Sequence, residues 1–189
     1  MENYKYILFF NQIDISSIGE VGGKNASLGE MFNQLNPIGI NIPNGFALTA
    51  EGYRVFRKMN NLEQPLEDLL LSLDTKSYSN LSSIGEKARN LILSATIPEV
   101  INSEISTAYE SLSKLCGTNN LGVAVRSSAT SEDLPTASFA GQMQSFLNIN
   151  GKEQLLDAVH HCFVLSWLSR RQGRYSLACP RSCPSAPGS

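Results

Sequence analysis

The sequence predicts an α+β fold. Four short apolar runs with strand character are separated by longer stretches whose apolar residues recur at helical spacing, and one strand leads straight into a long polar run. Of its 189 residues, 42 % are hydrophobic and 17 % charged, which marks a globular chain with a low charge content. Fifteen basic against seventeen acidic residues give no basic stripe, so nucleic acid is not an expected partner. No apolar run approaches a membrane span, and the first residues lack the basic start and small-residue cleavage site of a signal peptide. The expectation is a cytoplasmic protein without membrane contact.

Residues 6–10 form an aromatic and aliphatic run that predicts the opening strand. Next comes VGGKNASLGEM, residues 21–31, where Leu28, Met31, Phe32 and Leu35 follow helical spacing. Gly22 and Gly23 then mark a helix N-terminus with Lys24 in its first turn. Such an end has a partial positive charge, and a lysine there adds to an anion site. It is not a P-loop, because Ile18 stands where the first motif glycine belongs and Asn25 follows the lysine instead of Ser or Thr. An exposed lysine in a loop is the plain alternative.

Residues 45–49 predict a second strand, with Thr49 capping a helix over residues 50–59. Another helix is expected over residues 62–73, and Ile84, Ala88, Leu91, Ile92 and Ala95 form the stripe of a third. Thr96, Pro98 and Glu99 fit a capping box for a fourth, which carries Ile101, Ile105, Ala108, Leu112 and Leu115 on one face and ends at Gly117. These helices supply packing and carry no predicted chemistry.

The strand predicted over residues 121–125 alternates Leu121, Val123 and Val125 on one face, which sends Arg126 to the other. Behind it, VRSSATSEDLP and ASFAGQ, residues 125–135 and 137–142, combine an arginine with hydroxyls and backbone donors. That chemistry suits phosphate oxygens, which a guanidinium binds in bidentate fashion. A solvated loop whose Arg126 pairs with Glu132 or Asp133 fits the same composition. Residues 145–149 predict a strand antiparallel to the previous one, and Leu155, Leu156, Val159 and Phe163 predict a final helix.

Cys116 and Cys162 sit among apolar residues, where a buried thiol is the ordinary reading. Cys179 and Cys183 are spaced as half a metal site could be, but the adjacent His160 and His161 diverge on a helix and the gap to them lacks zinc-finger spacing, so no metal site is expected. From residue 164 onward arginines appear without acids, and the end is rich in Pro and Ser. Residues 1–163 are therefore expected to form the domain, and residues 164–189 an atypical, disordered tail.

Three stretches, residues 21–31, 42–49 and 125–142, resemble the N-terminal ATP-binding domain of the family that holds phosphoenolpyruvate synthase, pyruvate phosphate dikinase and rifampicin phosphotransferase. The resemblance implies an ATP-grasp type nucleotide domain, incomplete in this chain. It places Lys24 and Arg126 at the nucleotide phosphates and Gly141 and Ser145 also at the nucleotide, with Ser145 standing where the family usually has threonine. It implies ATP as ligand and Mg²⁺ as a companion ion whose acidic ligands come later in the family. The full enzymes pass a phosphoryl group from ATP to a histidine on a swivelling domain and then to pyruvate, so no catalytic residue is expected here. Residues 162–175 depart from the family's usual continuation, which suggests an out-of-frame end to an incomplete enzyme. An antibiotic kinase of the rifampicin type and a non-catalytic nucleotide-binding module are the two alternatives.

Overall fold

The computed structural model describes residues 4–129, 145–168 and 173–178. The α+β class is observed. A five-stranded sheet has the order β1 (Ile7–Phe9), β2 (Gly45–Leu48), β5 (Gly173–Ala178), β3 (Gly122–Ala129), β4 (Ser145–Asn150). Every neighbouring pair is antiparallel. The helices are α1 (Ile18–Val21), α2 (Gly23–Leu35), α3 (Ala50–Met59), α4 (Glu63–Leu71), α5 (Leu81–Leu93), α6 (Glu99–Leu115) and α7 (Gly151–Leu168).

Strand alternation divides the core in two. Ile7, Phe46, Leu48, Val123 and Val125 face the larger cluster, filled by Tyr53, Phe56, Ile92, Ile105, Leu112 and Phe163 from the helices after β2. Ala47 faces the smaller cluster with Phe10, Ile13, Val21, Ala26 and Phe32, which packs α2 on the opposite side of the sheet. Polar groups fasten this frame. The Glu104 carboxylate accepts from the Lys5 and Tyr6 N–H groups at 3.0 and 2.7 Å, fixing the approach to β1 on α6. The Tyr109 hydroxyl donates to the Leu121 carbonyl at 2.7 Å and accepts from the Gly151 N–H at 2.9 Å, so it joins the entry to β3 and the exit from β4.

Several expectations hold closely. Helix α3 starts and ends where predicted, and the Thr49 hydroxyl accepts from the Gly52 N–H at 3.4 Å. Other elements differ for identifiable reasons. The Thr96 capping box does not form: α6 begins at Glu99 with Pro98 at the cap and no side-chain bond there. Thr96 is held elsewhere, since the Asn60 side-chain amide donates to its carbonyl at 2.9 Å and accepts from its N–H at 3.1 Å. Helix α2 buries Ala26, Gly29 and Phe32, whereas Met31 is 39 % exposed and Leu28 and Leu35 are only half-buried. Cys162 is the expected buried free thiol, whereas Cys116 is half-buried and disulfide-bonded.

The end of the chain also differs. The predicted boundary at residue 163 falls inside α7, and residues 173–178 of the predicted disordered tail form a strand between β2 and β3. Hydrogen-bond partners on both flanks satisfy a backbone whose composition gives no strand signal. Residues 179–189 lie outside the described residues.

Candidate functional site

Strand β3 continues four residues past the predicted end at Val125, so Arg126 sits inside the sheet rather than at its edge. Its alternation is the expected one. Val123 and Val125 point into the larger core, and Arg126 is exposed on the other face.

Register extends this face across the sheet. Leu8 pairs with Ala47, Ala47 with Ser176, Ser176 with Arg126, and Arg126 with Ser145, giving one row over all five strands. Paired residues of an antiparallel ladder share a face. Ala47 belongs to the smaller cluster and Leu8 packs against it, so Arg126 and Ser145 lie on the side of the sheet that α2 covers.

Ser145 reaches that row only because β4 is irregular. Val123 pairs with Ile149 and Val125 with Phe146, so three steps on β4 match two on β3. The bulge lies at Leu147 and Asn148, and Asn148 adopts a left-handed backbone with φ 56°. An unbulged strand would group Ser145 with Leu147 and Ile149 on the core side. With the bulge, Phe146 and Ile149 both pack on the core, Leu147 is 60 % exposed, and Ser145 stands beside Arg126.

Helix α2 supplies the third group. It starts at Gly22, whose φ of 84° and ψ of 159° put the backbone in a region open essentially to glycine alone. No side chain caps this start, and Lys24 stands exposed in the first turn. The helix is tied to the segment after β1. The Asn33 amide donates to the Phe10 and Ile13 carbonyls at 3.3 and 2.9 Å, and the Ile15 N–H donates to the Glu30 carboxylate at 3.2 Å. Gly29 permits this approach, because a Cβ there would lie 2.5 Å from the Ile13 carbonyl oxygen. With α2 lying against β3, Lys24 is on the same side of the sheet as Arg126 and Ser145.

Among the described residues no acid pairs with Arg126, and no hydrogen bond engages its guanidinium. Gly141, the fourth predicted residue, and the Glu132 and Asp133 of the alternative reading lie outside the described residues. One residue was missed. Ser128, two positions beyond Arg126 on the same face, is 1 % exposed, and its hydroxyl has no hydrogen-bond partner. Period-two counting would have found it had the strand been extended past Val125.

His160 serves packing. His160 Nε2 donates to the Ile92 carbonyl at 2.8 Å, which fixes its proton on Nε2, and its ring lies against Phe56 and Phe163 in the larger core. Among the described residues no three His, Cys, Asp or Glu side chains come together as metal ligands. Among the described residues the donor set therefore does not fit a resident metal. It does fit an anion: one guanidinium, hydroxyls and a helix N-terminus with a lysine on one face of a sheet.

Comparison with known proteins bears on what that anion is. The family model described as "Pyruvate phosphate dikinase, AMP/ATP-binding domain" matches residues 18–178. The match includes β5 and passes the predicted boundary at residue 163. Phosphoenolpyruvate synthase of Neisseria meningitidis is 44 % identical over 159 residues, covering 84 % of this chain and 20 % of the relative. The synthase of Synechocystis is 44 % identical over 168 residues, covering 87 % and 20 %. That of Escherichia coli is 40 % identical over 158 residues, covering 84 % and 20 %. The chain thus spans about one fifth of the length of these curated relatives.

Proposed function

The chain belongs to the pyruvate phosphate dikinase AMP/ATP-binding domain family, and on that premise we propose that it is the nucleotide-holding part of a phosphoenolpyruvate synthase, binding ATP on the face of the sheet that carries Arg126 and Ser145. The observation that carries this reading is their direct pairing on the side of the sheet that α2 covers. In it, the Arg126 guanidinium takes phosphate oxygens in bidentate fashion, Lys24 adds a second positive charge, and the Ser145 hydroxyl orients the ligand. Gly141, which lies outside the described residues, is assigned to the nucleotide by the family resemblance alone. The fold is read accordingly as part of an ATP-grasp type domain.

The whole reaction in this proposal converts ATP, pyruvate and water into AMP, phosphoenolpyruvate and phosphate. Phosphoryl transfer depends mainly on positioning and on neutralising charge. This chain contributes to both by holding the triphosphate. No described cluster fits Mg²⁺. In this reading the phosphorylated histidine and the pyruvate site lie outside the described residues, and the location is cytoplasmic. No observation favours an antibiotic kinase of the rifampicin type.

Calorimetric titration with ATP tests the assignment of Arg126. A hydrogen bond to a charged group contributes about 1.5–3 kcal/mol, so Arg126→Ala should weaken ATP binding by about ten-fold or more. Arg126→Lys should recover only part of it, because an ammonium cannot reproduce the planar fork. Equal affinity in the parent chain and Arg126→Ala would remove Arg126 from the site.

A further inference from the structure

Among the described residues of β3, Ser128 is the polar side chain on the Arg126 face whose chemistry the proposed nucleotide reading has not used. Its residue is 1 % exposed, and its hydroxyl is buried without a hydrogen-bond partner. Register fixes its orientation: β3 and β5 pair without interruption from Ala124 to Ala129, so Ser128 shares the face of Arg126 and opposes that of Val125. The other side of the strand gives the contrast, since Val125 is filled into the larger core. A buried hydroxyl with no acceptor is costly and rare, because it has given up water for nothing in return. The free energy lost in the ligand-free chain is recovered when an acceptor arrives.

We propose that Ser128 donates its hydroxyl hydrogen to a phosphate oxygen of the same polyphosphate that Arg126 holds, and so acts as a second binding residue on β3. The inference rests on the reading of this face as the nucleotide site. Two residues along a strand cover roughly 6.6 Å, a separation that neighbouring phosphates of one chain can bridge when a long arginine side chain leans toward its partner. Arg126 stands at the exposed part of this face and Ser128 at the covered part. Binding then replaces what covers the Ser128 hydroxyl with a phosphate oxygen. The specificity is for the charged oxygens rather than for the base, so adenosine alone does not engage it.

The signs of the effects separate this role from a structural one. Ser128→Ala removes an unsatisfied polar group, so the ligand-free chain should melt at the same temperature or higher. The same change should weaken binding of ATP and of inorganic tripolyphosphate by about ten-fold or more, while Ser128→Thr, which keeps the hydroxyl, should retain most of the affinity. Equilibrium titrations of the parent chain, Ser128→Ala, Ser128→Thr and Arg126→Ala with ATP, tripolyphosphate and adenosine, each paired with a ligand-free melt, read both quantities. If Arg126→Ala loses affinity and Ser128→Ala does not, the role of Ser128 is overturned while the nucleotide reading stands. A fall in the ligand-free melting temperature of Ser128→Ala with unchanged affinity makes the residue structural and overturns the role in the same way. If the parent chain binds neither ATP nor tripolyphosphate, the nucleotide reading falls and the role of Ser128 with it.

Discussion

Arg126 is exposed because Val123 and Val125 have claimed the core side of β3, and its partner across the strand pair is Ser145. Side chains at this scale are predictable one at a time. Cys162 is buried among the aromatic and aliphatic residues of the larger core, and burial pushes its thiol pKa up to about 12. Its thiolate, the reactive form, is therefore negligible at neutral pH, and access is closed as well. A thiol-specific reagent should leave Cys162 unmodified in the folded chain and label it only when denaturant opens the core; mass spectrometry on the peptide distinguishes the two. Much of this was legible in the sequence. The opposite facing of Val125 and Arg126 follows from alternation alone. The pairing of Arg126 with Ser145 does not, because it depends on one extra residue in β4 that no periodicity announces.

At the scale of elements, that extra residue is a bulge, and Asn148 holds it in the left-handed region. Asparagine tolerates this conformation, glycine is at ease in it, and a β-branched residue is not. Asn148→Gly should therefore melt within a few degrees of the parent chain. Asn148→Val should lose about 1–3 kcal/mol and also weaken ATP binding, because an unbulged β4 turns Ser145 toward the core side. Helix α2 is placed by contact rather than by a cap. Adding a methyl at Gly29 sets a carbon against the Ile13 carbonyl, so Gly29→Ala should cost about 1–3 kcal/mol in a denaturant titration and shift Lys24 with the helix. Sequence periodicity missed this face of α2, since it weighs large apolar residues, and Ala26 and Gly29 bury by being small. The Thr96 cap failed for a different reason, a tertiary clasp by Asn60 that local pattern does not encode.

For the molecule as a whole, β5 decides the architecture. It lies between β2 and β3, so it joins the strand pair at the start of the chain to the pair that carries Arg126 and Ser145. Composition assigned those residues to a tail. Strand character came instead from two partners far away in sequence, and distance in sequence is what local reading cannot cross. The three motif stretches, by contrast, are enough to identify the family, because each carries glycines and polar residues that packing alone does not require. The described chain is thus a sheet with packing helices on one face and α2, Lys24, Arg126 and Ser145 on the other. The central claim is that this second face binds ATP. Isothermal titration of the chain with ATP in the presence of Mg²⁺ is the most direct measurement: saturable one-site binding that Arg126→Ala weakens by about ten-fold or more is the predicted result, and the absence of binding at millimolar ATP by a chain that melts cooperatively would contradict it.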